Sequence, residues 1–110
     1  MSQTTILEKL KEELRMINET LAQLEAQRRE IEEAYLTILD EENKIIEEMR
    51  KCRDPYKYGQ LEIKFNAVSR RRRELESRKT EIERKMRGCA EEKSRIQMRI
   101  EYLKPKPSQN

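Results

Sequence analysis

One hundred and ten residues allow one domain at most, and 43% charged against 35% hydrophobic residues, with no Trp and a single Phe, exclude a wide globular core. With no His, two isolated glycines and two lone cysteines, the chain lacks the usual zinc ligand sets, phosphate-cradling loops and Ser-His-Asp or Cys-His arrangements. Neither an enzyme nor a cofactor- or metal-binding protein is expected. No apolar run approaches a membrane span and Met1 to Lys11 carries no signal-peptide block, which predicts a cytoplasmic or nuclear protein that is not secreted.

From Leu7 to Cys52, positions spaced alternately by three and four residues are apolar, except Arg28 and Glu42. A second series from Tyr58 to Leu103 is broken only by Arg72, Lys79 and Lys93. Heptads sustained this long, with charge elsewhere, predict coiled-coil helices. The series are out of phase by two residues, and Asp54-Pro55 lies in the gap with Gly59 just beyond it. Proline cannot donate to a helix ladder but suits the first position of a new helix after an Asp cap.

The chain is therefore predicted to be all-α, an antiparallel two-helix coiled-coil hairpin that self-associates into a larger bundle. Helix 1 is expected over about 4–52, the turn over about 53–59 and helix 2 over about 60–103, with residues 1–103 forming the hairpin. A basic tail, 104–110, contains Pro105 and Pro107 and is expected to be disordered. Facing residues whose numbers total 110 give a consistent seam, from Met49 opposite Leu61 to Leu7 opposite Leu103. A total of 117 also avoids paired charges, but needs twelve rather than five turn residues. Charge favours the same pairing: residues 4–53 carry nine Lys/Arg and thirteen Asp/Glu, whereas 57–103 carry fourteen and eight. At one edge Glu41 should face Arg71, Glu13 face Arg99 and Glu48 face Lys64. At the other, Glu25, Glu32, Glu76 and Glu83 should neutralise Arg28 and Lys79. Cys52 and Cys89 are too far apart to bridge and are read as seam thiols.

Three surfaces are candidates for partners. Leu39 and Ile46, one heptad apart beside the seam, widen the apolar face near the turn and suggest self-association, as an antiparallel homodimer giving a four-helix section or as a higher assembly. Tyr56 and Tyr58 at the tip either dock a partner or tidy the turn by packing on Cys52 and Met49. Arg70, Arg73, Arg84 and Arg87 form an outer stripe that is either a solvated face or a dock for an acidic protein. Nucleic acid ranks behind both, because the net charge is only +3 and no aromatic residue is interleaved for stacking.

In architecture alone, a short basic helical hairpin resembles the stalk proteins of flagellar and type III export ATPases. Pro55-Tyr56-Lys57-Tyr58-Gly59-Gln60-Leu61 is similar to the hairpin segment of prefoldin subunits, where coiled-coil arms flank β-strands, and Leu61, Ile63, Phe65 and Ala67 alternate as a strand would. Leu61, Phe65 and Val68 also satisfy the helical heptad, the preferred reading because it keeps the arms equal. Neither resemblance supplies a motif to carry over. The function expected is that of a structural or adaptor coiled coil; the alternative is a chaperone or stalk subunit.

Overall fold

The computed structural model describes residues 3–105. They form a helical hairpin of α1 (Gln3–Lys51) and α2 (Pro55–Leu103), with no strand among the described residues. The helix lengths follow from sequences rich in Leu, Glu, Lys and Arg, which lose little rotamer freedom in a helix. Arg50 and Lys51 in the last turn of α1 complement the negative end of its dipole.

The turn is tighter than the sequence suggests and occupies only residues 52–54. The Cys52 N–H donates to the Met49 carbonyl at 3.3 Å, closing α1. Asp54 then caps α2: its Oδ1 accepts from the Tyr56 N–H at 3.0 Å, and its carbonyl accepts from the Tyr58 N–H at 2.9 Å. Pro55 takes the first helical position, where a missing N–H costs nothing. The expected turn over 53–59 and the start of helix 2 near 60 are thus corrected. Gly59 does not extend the turn, because it lies inside α2 with φ outside the positive range. Residues 61–67 are helical, so the strand alternative does not occur. Of the expected tail, residues 106–110 lie outside the described residues.

By its packing the chain divides into two compact units, each an antiparallel pair of helix segments. In the unit containing 3–26 and 84–105, Leu10, Ile96 and Ile100 are buried, and Leu7, Leu14, Ile17 and Leu103 pack against them. That cluster contains the facing pairs Leu10–Ile100, Leu14–Ile96 and Leu7–Leu103 of the shorter-turn register. In the unit containing 27–83, Ile31, Ile38, Ile45, Val68, Leu75 and Ile82 form the buried seam. Each such side chain contributes roughly 1.5 to 3 kcal/mol. The alternation of three and four residues brings one apolar stripe of each helix to its partner, which fixes everything else on the outer faces.

Candidate functional site

Within the unit 27–83, polar groups enter the seam as a connected set. Glu42 is only 7% exposed and would be costly to bury alone. Its Oε2 accepts a 2.8 Å bond from the Ser69 hydroxyl, and its Oε1 lies 2.7 Å from Arg72 Nε. Arg72 Nη1 in turn donates to Glu76 at 2.7 Å. Desolvation in the seam opposes the Arg72 charge, but attraction and hydrogen bonding from Glu42, then attraction from Glu76, outweigh it and raise its pKa above the usual arginine value. About two to four turns further from the tip, Arg28 lies 3.8 Å from Glu32 and 3.9 Å from Glu83, while Lys79 lies 3.6 Å from Glu32. Of the four acids expected to neutralise these two cations, Glu32 and Glu83 make those contacts. Glu76 serves Arg72. Of the three pairs expected on the opposite edge, Glu41 and Arg71 meet at 3.7 Å.

Beside the seam the surface is concave and partly apolar. A cleft of about 540 Å³ is floored by Ile31, Tyr35, Leu36 and Leu75 and rimmed by Glu32, Glu76 and Glu83. Leu36 is 67% exposed there. Nearer the turn a cleft of about 250 Å³ is lined by Ile46, Met49, Arg50, Tyr58 and Phe65. This brings together Ile46 and Tyr58, taken from the sequence as parts of two different surfaces. Ile46 is 36% exposed and Leu39 is half-buried. Tyr58 is partly exposed at the tip. Tyr56 stands further out, 74% exposed, its hydroxyl accepting a 3.3 Å bond from Gln60 Nε2. Ile63, seven residues on along the same helical face, is 72% exposed.

Arg70 and Arg73 are exposed and line one shallow cleft with Glu74, Ser77 and Arg78. Arg84 and Arg87 are also exposed but belong to the other unit. Cys52 and Cys89 are free, half-buried thiols. No group of acidic or Cys side chains suited to hold a metal occurs among the described residues. No described helix is long and apolar enough to cross a membrane.

Leu36 and the Glu42–Arg72 pair escape a sequence reading that treats the seam one layer at a time. Glu42 faces Val68 and Arg72 faces Ile38, so each looks alone; they meet because the layers are adjacent and the arginine reaches along the seam. Leu36 was readable as the residue that carries the Leu39 and Ile46 stripe back by one step of three. No known family model matches this chain, and no curated protein or solved structure does either.

Proposed function

We propose that the chain is a non-enzymatic structural or adaptor coiled coil of the cytoplasm or nucleus that mediates protein–protein interaction and self-assembly. The observation that carries this reading is the apolar surface left open beside the seam, with Leu36 and Ile46 exposed next to two clefts. A two-helix seam buries little apolar area, so an added apolar contact has a large relative effect on stability. Sedimentation equilibrium from about 1 to about 100 µM tests it, a range that reads association free energies of roughly 5 to 8 kcal/mol. Association should be concentration-dependent and weakened by joint Leu39→Glu and Ile46→Glu replacement with helix content retained. A monomer throughout that range sinks the self-assembly reading.

A second reading, a chaperone or stalk subunit working through its tip, is favoured by Tyr56 and Ile63 projecting from the first turns of α2. Replacing Tyr56 and Tyr58 with Ala should then abolish capture of a cross-linked partner while leaving the sedimentation profile unchanged. The basic residues fit an acidic protein surface before nucleic acid. Nucleic-acid binding would show steep salt dependence lost on replacing Arg70, Arg73, Arg84 and Arg87.

A further inference from the structure

The edge that carries both clefts has a charge order that reads the same against itself in reverse. On α1, Glu32, Leu36, Leu39, Asn43, Ile46 and Arg50 recur by four and three residues and so share one face. Laid antiparallel on a copy of itself, that stripe sets Glu32 against Arg50, Leu36 against Ile46 and Leu39 against Asn43. On α2, Glu62, Asn66 and Arg73 line the same edge at offsets of four and seven residues, while Ser69 between them is turned into the seam toward Glu42. Reversed, they set Glu62 against Arg73 and leave Asn66 near the axis.

We infer that this edge is a docking surface for a second copy of the chain, laid antiparallel about a two-fold axis that passes between Leu39 and Asn43. The inference rests on the self-assembly reading above and specifies its geometry. A two-fold contact requires one patch to complement itself, and it requires both helices to share the axis. Tyr35 and Leu75 meet in one cleft, as do Ile31 and Lys79. In that register the centre of the α1 stripe and the centre of the α2 stripe differ in height by roughly one and a half residues, about 2 Å. One axis therefore serves both.

The clefts fit the same arrangement. The larger cleft around Leu36, where Glu32, Glu76 and Glu83 outnumber Lys79, receives Ile46 of the second copy with Arg50 beside it, and the smaller cleft around Ile46 receives its Leu36. A parallel dimer would instead place Glu32 on Glu32, Arg50 on Arg50 and Arg73 on Arg73. The next antiparallel step outward would bring Arg29 toward Arg53, but Arg53 lies in the turn beyond the end of α1.

Glu62 and Arg73 make the sharpest test, since both are exposed and no ion pair within the described residues involves either. E62R and R73E should each weaken self-association about threefold to tenfold, because each creates two symmetry-related like-charge contacts. An equimolar mixture of the two variants should recover association at one-to-one stoichiometry, since both interfacial contacts are then of opposite charge. Circular dichroism of each variant should match the wild type, and L36E should weaken association whichever charges are present. If the wild type associates but the mixture does not recover, this geometry is wrong and self-assembly by another face stands. A wild type that stays monomeric to about 100 µM overturns the self-assembly reading and this inference together.

Discussion

Ser69 and Glu42 meet across the hairpin in a 2.8 Å hydrogen bond, the serine hydroxyl donating to a carboxylate that also holds Arg72 at 2.7 Å. Among the buried residues of the described chain these two are the polar ones. They lie on different helices, so their bond exists only in one alignment of α1 on α2. Sliding one helix by a heptad would bury Glu42 without Ser69 and leave Arg72 without its closest acid.

Glu42→Leu should therefore destabilise the protein by about 1 to 3 kcal/mol. That is less than the 3 to 5 kcal/mol typical of breaking a fully buried pair, because Arg72 is partly exposed and keeps Glu76. Replacing Glu42 and Arg72 together by Leu should recover most of that loss. The double variant should also populate alternative helix registers, since an apolar seam no longer distinguishes heptad shifts. Urea denaturation gives the energies, and cross-linking between cysteines introduced at facing positions reads the register.

The seam itself was legible because a heptad repeat constrains every third or fourth residue. Of the positions assigned to it, all but Tyr58 are buried or half-buried. The turn was misread for a local reason: Gly59 resembles turn punctuation, yet one helical glycine costs only about 1 kcal/mol and Asp54-Pro55 had already started the helix. Asp54 and Pro55 themselves were legible as cap and first residue. Leu36 extends the Leu39 and Ile46 stripe by one step of three, and a strict seven-residue repeat through those two passes over it. The division into two units has no marker in composition or periodicity.

Large-to-small changes should separate the seam from the docking edge. Leu10→Ala or Ile96→Ala, at sites 3% and 2% exposed, should cost about 2 to 4 kcal/mol measured on the dissociated chain. Leu36→Ala should cost less than about 0.5 kcal/mol under the same conditions, since its side chain is mostly in water there. Denaturation at low protein concentration in urea compares the three. Equal losses would mean that Leu36 is covered in the single chain.

Gly59 and Gly88 both lie within α2, and a Cβ built on either meets nothing within 4 Å. Neither has the positive φ that would make a side chain strained. Gly59→Ala and Gly88→Ala should each stabilise the chain by about 0.5 to 1 kcal/mol, through helix propensity and a less flexible unfolded chain. Asp54→Ala, which removes the cap on the Tyr56 N–H, should lower stability by about 1 kcal/mol. Thermal melts of the three variants give opposite signs. A destabilising Gly59→Ala would show that the glycine answers to a contact outside the single chain.

Acid should act on the α1 segment of the other unit through Glu12. Its carboxylate accepts from Arg15 Nε at 3.0 Å and pairs with Arg15 Nη2, while Arg15 also pairs with Glu19. The side-chain hydrogen bond from Arg15, helped by its charge, holds the Glu12 pKa below its ordinary value against an opposing desolvation. A carboxylate with a depressed folded pKa binds fewer protons folded than unfolded. Its stabilisation is therefore complete above the unfolded glutamate value near 4.5 and is lost as pH falls through the lower folded value. The pair is exposed, so the effect should be weakened by salt rather than dominate acid unfolding. Side-chain carboxyl NMR between about pH 2 and about pH 6 should show Glu12 titrating below the ordinary glutamate value. Arg15→Gln should move it upward. An unchanged Glu12 midpoint in that variant would show that Arg15 is not what holds the carboxylate ionised.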